Sequence, residues 1–175
     1  MSIRSQYEKH GALEFYRAFG SVYRNPHEPA IADAIGLATR RWPLDLANVL
    51  DLACGSGEVT LALRVSGGAR VVGVDPYTGA AYYERTGQVA QPLTFEEIAA
   101  GALDEQQYTT IVCSYALHLV EESRLPLLMW QLAGLSPSLL VLSPHKRPEI
   151  HTHWKLHGEF IHERVHTRLY RSVRP

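Results

Sequence analysis

The densest potential for chemistry lies in VLDLACGSGEVTLAL, residues 49–63, where Asp51, Gly55 and Gly57 stand between two apolar runs. Glycines at this spacing let a chain turn sharply and approach a ligand with no Cβ in the way. A strand before such a turn and a helix after it form a binding crevice for a nucleotide-like or zwitterionic molecule. Asp75 closes a second apolar run in VVGVDP. A carboxylate at a strand end can accept two hydrogen bonds from vicinal ribose hydroxyls, one on each oxygen. His118, in SYALHLV, supplies an imidazole that titrates near neutral pH, as a general base should.

These residues need a scaffold that brings them to one edge. ANVLDLA reads as a buried strand, GSGEVTLALRV as a turn opening into a helix, GARVVGVD as a second strand and TGAAYYERTG as a second helix, which together make a βαβ unit. YTTIVCSYALHLV is a strand running into a turn. Leu125, Leu128, Met129, Leu132 and Leu135 then mark one helix face, with Pro126 in its first turn. PSLLVLSPH is a further buried strand, and RVHTRLYRSV alternates as an edge or antiparallel strand does. In QVAQPLTFEEIAAGAL only a weak third strand can be drawn before a short helix begins near Thr94. Ahead of the first strand, residues 5–20 carry a helical pattern, GSVYRNPHEPA breaks it, and a helix runs from Pro29 to Arg41 until Pro43 stops it.

Alternating strands and helices predict an α/β fold: a Rossmann-like, doubly wound, mostly parallel sheet with helices on both faces and an antiparallel C-terminal strand or hairpin. The expected organisation is a helical arm or lid over residues 1–42 and a core over 43–175. Because the chain ends soon after RLYRSV, the closing hairpin is expected to be compact or incomplete. The 175 residues are 46% hydrophobic and 20% charged with a net charge of −1, so no global electrostatic pull toward nucleic acid or anionic lipid is expected. No run approaches the roughly 18 apolar residues of a membrane span, and a soluble, cytoplasmic protein is expected. Cys54 and Cys113 lie in apolar runs without CxxC spacing and read as reduced core residues.

The first motif resembles that of class I S-adenosylmethionine-dependent methyltransferases, an acid followed by small residues and glycines in the form DxGxGxG. Asp51, Ala53, Gly55 and Gly57 hold those positions, with Ala53 in place of the first glycine. The resemblance continues through VVGVDP and through TTIVCSYALHLV, which looks like the family's fourth motif, and covers residues 45 to 145 or so. It implies S-adenosyl-L-methionine as cofactor and a site drawing on Asp51, Ala53, Cys54, Gly55 and Gly57. Asp51 would meet the ammonium of the methionine part, directly or through water. Asp75, followed by Pro76, would take the ribose, Glu97 would reach the adenine amino group, and Ser114 would complete the set. Each acid has a plainer local reading. Asp51 can cap the turn, Asp75 can open an Asp-Pro turn, and Thr94 with Glu97 has the spacing of a helix capping box.

Methyl transfer is an in-line displacement at an activated carbon, so one well-placed base can suffice. His118 is the first catalytic candidate and Tyr23 the second; a histidine bonded to a backbone carbonyl is the competing reading of His118. The resemblance also implies a lid ahead of the first strand, whose Tyr16, Asn25 and His27 would line an acceptor pocket, with His145 of SPHKRPEI joining at the same sheet end. Tyrosines covering the sheet and a solvated basic loop are the plainer alternatives. The fourth motif lacks the NPPY-type sequence of nucleic-acid enzymes that methylate amino groups, which argues against a base substrate; the expected acceptor is an O or N nucleophile of a small molecule. YRNPHE and SPHKRPEI are also reminiscent of small methyltransferase-like proteins without assigned substrates. His153/His157 and His162/His166 have i,i+4 spacing, yet there is no HExxH and the last pair falls in a strand-like segment, so no metal is expected. Two other functions stay open: a cofactor-binding subunit acting through a partner, and a nicotinamide-dependent oxidoreductase. Thr60, where GxGxxG wants a small residue, and the lack of a YxxxK relay count against the latter.

Overall fold

Short aliphatic and β-branched runs form the parallel half of the sheet: β1 (Val49–Leu52), β2 (Val71–Val74), β3 (Thr110–Ser114) and β4 (Ser138–Ser143). The computed structural model describes residues 12–174. Within it, six strands lie in the order β2-β1-β3-β4-β6-β5, where β5 is Trp154–His162 and β6 is Val165–Ser172. The first four are parallel, with Leu50 opposite Val72 and Ile111; β6 runs antiparallel to β4, and β5 antiparallel to β6.

Residues of opposite parity on each strand feed two cores, as the pleat requires. On one face Val49, Val112, Leu140 and Leu142 pack with helices α2 (Glu28–Arg41) and α3 (Glu58–Val65) through Ile31, Ile35, Val59 and Leu63. On the other, Leu50, Leu52, Ile111, Cys113, Leu139 and Val141 pack with α5 (Phe95–Ala99) and α6 (Leu125–Leu135) through Ile98, Leu128 and Leu132. Helix α4 (Gly79–Thr86) follows β2, and helix α1 (Ala12–Phe19) precedes a 3₁₀ turn at Gly20–Val22. Residues 5–11 of the expected arm helix lie outside the described residues.

Two expectations change in detail. The third strand shrinks to one parallel bridge, Val74 with Gln91, closed by hydrogen bonds from Gln91 N to Gly73 O (2.9 Å) and Asp75 N to Gln91 O (3.0 Å). Pro92 follows at once and has no N–H with which to extend the ladder. The C-terminal hairpin is neither short nor incomplete. It pairs nine residues with eight across a turn in which Glu163 and Arg164 both have positive φ (45° and 69°), the backbone form that matches strand twist. Nor is β6 an edge: Tyr170 enters one core, Val165 and Leu169 enter the other, and β5 takes the outer position.

Among the described residues no helix is long and apolar enough to cross a membrane. The histidine pairs fall in β5, β6 or just before them, where i,i+4 side chains do not share a helix face. His162 instead comes within 4.8 Å of Asp33 and Glu163 at the surface, ligand atom to ligand atom.

Helix α4 is fixed by Tyr82, which is wholly buried. Its ring fills the space beside Gly73 of β2, where a Cβ would lie 2.5 Å from Cζ and 2.6 Å from the hydroxyl. Gly73→Ala should therefore cost about 1–3 kcal/mol by overpacking. Chemical denaturation checks this, and a midpoint equal to wild type would show that Tyr82 yields without cost.

Candidate active site

The chain leaves β1 through Ala53 (φ 58°), Gly55 (φ 55°) and Gly57 (φ 92°) before α3 begins at Glu58. Asp51 pins this turn from below. It is wholly buried, and its Oδ2 accepts the Thr60 backbone N–H at 3.0 Å and the Thr60 hydroxyl at 2.6 Å. The Tyr82 hydroxyl lies 2.9 Å from the same Thr60 oxygen. Asp51 thus points into the β1–α3 junction and is absent from the cavity wall. Gly57 is buried at the helix start, where a Cβ would meet the Thr86 methyl at 2.5 Å, so its small size serves the packing of α3 on α4.

A cavity opens above the turn. Ala53, Cys54, Gly55, Asp75, Pro76 and Ser114 line it from the strand ends, and Tyr16, Tyr23 and Asn25 line it from the arm. Leu93, Phe95 and Ile98 form an apolar shelf beyond Asp75. Asp75 already receives Gly55 N–H on one oxygen (3.2 Å) and the Tyr77 and Thr78 N–H groups on the other (2.8 and 3.0 Å). A carboxylate offers about four acceptor positions, so Asp75 caps its turn and keeps capacity for a ligand. The Ser114 hydroxyl is buried with no partner among the described residues.

The other candidates stand outside this wall. Glu97 closes a capping box, accepting Thr94 N–H at 2.8 Å while Thr94 Oγ1 accepts Glu97 N–H at 3.2 Å. Those bonds from Thr94 lower its pKa. Its neighbour Glu96 lines the cavity instead, paired with Arg124 at 2.8 Å. His118 lies in a 3₁₀ turn, Leu117–Leu119, whose Leu119 is on the wall while His118 is exposed beside it. Its ring meets that of His145 edge-on at 5.6 Å, and partial withdrawal from water, followed by the His145 charge, lowers its pKa. His27 is exposed and stacks at 5.2 Å on Tyr115, a wall residue with φ 56°.

The cavity's parts fit an adenosyl amino acid. It has an apolar shelf for a base, an acid with spare acceptor positions, an unpaired hydroxyl and a backbone turn open to a charged end. An uncharacterized protein of Schizosaccharomyces pombe is 28% identical over 98% of this chain and 92% of its own length. A carboxy-S-adenosyl-L-methionine synthase of Colwellia psychrerythraea is 30% identical over 67% of this chain, which spans 52% of that enzyme. The fold is that of a magnesium protoporphyrin IX methyltransferase from Synechocystis solved with bound S-adenosylmethionine, at a TM-score of 0.58 and 19% identity over 99% of this chain and 95% of that one. Residues 49–135 match a family model described as a methyltransferase domain. The chain belongs to the class I S-adenosylmethionine-dependent methyltransferases.

In this methyltransferase Glu58 is a wall residue that the local sequence does not mark. That residue is 5% exposed yet lines the cavity. Its Oε1 accepts the Ser56 hydroxyl and the Asn25 N–H (3.2 Å) and lies 3.6 Å from Arg85. Arg85 also pairs with Glu28 of the arm. The only signal in the sequence was an acid in the first turn of a helix, which ordinarily denotes a solvated residue near the dipole's positive end.

Removal from water is the main cause that holds Asp51 up at about 7; the Glu58 and Asp75 carboxylates add to it, and the Thr60 bonds oppose it. A carboxyl raised in the folded state stabilises most below its unfolded pKa and loses that contribution as pH rises from about 4 to about 7. Asp51→Asn keeps the acceptor oxygen and removes the titration. Thermal melting from pH 5 to pH 8 should fall more steeply in wild type than in the variant, by about 3 °C or more. Parallel curves would remove Asp51 from the pH response.

Proposed function

We propose that this methyltransferase moves the methyl group of S-adenosylmethionine to an O or N nucleophile of a small molecule, inside the cavity closed by the arm. One observation carries the reading: strand-end residues and arm residues line the same cavity, so cofactor and acceptor groups face each other within one wall. Among the described residues its charged wall groups are Glu58, Asp75 and Glu96, with no lysine or arginine among them, a lining poorly suited to a nucleic acid backbone.

The cofactor, when bound, supplies a methyl carbon already activated by a sulfonium. Gly55, Asp75 and Ser114 hold the molecule, and the apolar shelf takes its base. Tyr16, Tyr23 and Asn25 orient the acceptor from above, with Tyr23 at 3.4 Å from the point a Cβ on Gly55 would occupy. His118, kept neutral by its lowered pKa, accepts the acceptor's proton from the mouth of the cavity, while His145 restrains its ring. His27 holds Tyr115 in place by stacking. Residues 1–42 act as the lid and residues 43–175 as the core.

Calorimetric titration with S-adenosylmethionine, S-adenosylhomocysteine and NADH tests the cofactor. The first two should bind and NADH should not; retention of NADH in preference would favour an oxidoreductase. Labelled-methyl transfer to metabolite pools then identifies the acceptor. The mass of the recovered cofactor would separate methyl transfer from modification of the sulfonium compound, the product named for the Colwellia relative. With an acceptor in hand, His118→Ala should lower kcat about 100-fold and leave S-adenosylhomocysteine affinity unchanged. Equal loss of both would make His118 structural.

A further inference from the structure

We propose that Glu58, rather than Asp51, is the carboxylate that receives the α-ammonium of the cofactor, and that Ser56, Asn25 and Arg85 hold it for that task. The proposal rests on S-adenosylmethionine being the ligand of this cavity.

An ammonium in a largely apolar cavity needs an anionic acceptor with an oxygen to spare. Asp51 has an unpartnered oxygen, Oδ1, but that atom is buried and Asp51 has no place on the wall, while its Oδ2 is engaged by both Thr60 donors behind the turn. Among the described residues three acids line the cavity, and their oxygens are engaged differently. Glu96 is exposed and paired with Arg124 at 2.8 Å. Asp75 accepts three backbone N–H groups, spread over both of its oxygens. Glu58 gathers Ser56, Asn25 and Arg85 on Oε1, and among the described residues Oε2 takes no hydrogen bond. That oxygen faces the turn, 3.2 Å from where a Cβ on Gly55 would be.

The polarity of the cavity gives its direction. The shelf of Leu93, Phe95 and Ile98 lies beyond Asp75 and suits the base, which leaves the amino-acid end for the pole made by Gly55, Tyr23, Asn25 and Glu58. Glu58 also joins that pole to the arm. Asn25 donates to it directly, and Arg85 spans Glu58 and Glu28. The carboxylate that takes the ammonium is therefore one that already fixes the arm in place.

The test is a thermodynamic cycle on the full chain, with binding as its readout. S-adenosylhomocysteine and its deaminated analogue are titrated into wild type and Glu58→Gln. Wild type should lose about tenfold or more in affinity when the amine is removed. Glu58→Gln should lose a similar factor for S-adenosylhomocysteine and very little for the deaminated compound, so the two losses do not add. 5′-Methylthioadenosine, which lacks the amino-acid part, should bind both proteins alike. Additive losses, or equal weakening for 5′-methylthioadenosine, would assign Glu58 a structural role and overturn the proposal. If wild type binds none of these compounds, the cofactor reading fails first and the proposal falls with it. Glu58→Asp keeps the charge but withdraws the oxygen, and gives the same comparison should the glutamine variant not fold.

Discussion

Asp51 accepts the backbone N–H and the hydroxyl of Thr60 from inside the core, and this pair of bonds sets where α3 starts relative to the end of β1. The rest of the site inherits that setting. Thr60 passes the contact to Tyr82, and Tyr82 locates α4 against β2 through the space left by Gly73. Between the two helices the turn has room only for a glycine at position 57. Gly55 N–H then meets Asp75, so the ends of β1 and β2 are joined by a hydrogen bond at the floor of the cavity. The arrangement has a cost, because a carboxylate withdrawn from water resists ionisation, and the raised pKa of Asp51 records it.

The second constraint comes from the arm. Helix α2 packs on the sheet through Ile31, Ala34, Ile35 and Ala38, which leaves the preceding segment lying over the turn. Arg85 and Glu58 secure it there by polar contacts to Glu28 and Asn25, and Arg24 adds an exposed pair with Glu84 at 3.1 Å. The buried part of this network is the part with consequence, since exposed ion pairs contribute little. With the arm so held, Tyr16 and Tyr23 line the cavity together with the strand ends.

Charge is divided across the site. Acids line the cavity, and His118 and His145 meet outside its wall, where partial withdrawal from water and then the His145 charge lower the pKa of the His118 ring. An acidic interior favours a cationic ligand. The two cysteines take no part in acid–base chemistry near neutrality, because burial pushes both thiols up.

The sequence by itself determined the order of strands and helices, because apolar periodicity records which face of each element must be covered. It also determined the glycine turn and the Thr94–Glu97 cap, since both depend on residues within a few positions of each other. It left undecided what covers each face and which acids the fold would bury. Asp51 entered the core with one oxygen bonded twice by Thr60 and the other buried without a partner among the described residues, and Glu96 rather than Glu97 reached the cavity because the cap engaged Glu97. Glu58 became a wall residue because Ser56, Asn25 and Arg85 converge on it, two of them from elements distant in sequence. The third strand ended at Pro92 and the hairpin ran to full length, outcomes that depend on ladder partners rather than on local pattern. Burying a charge requires partners from other elements, and only the tertiary structure brings such partners together.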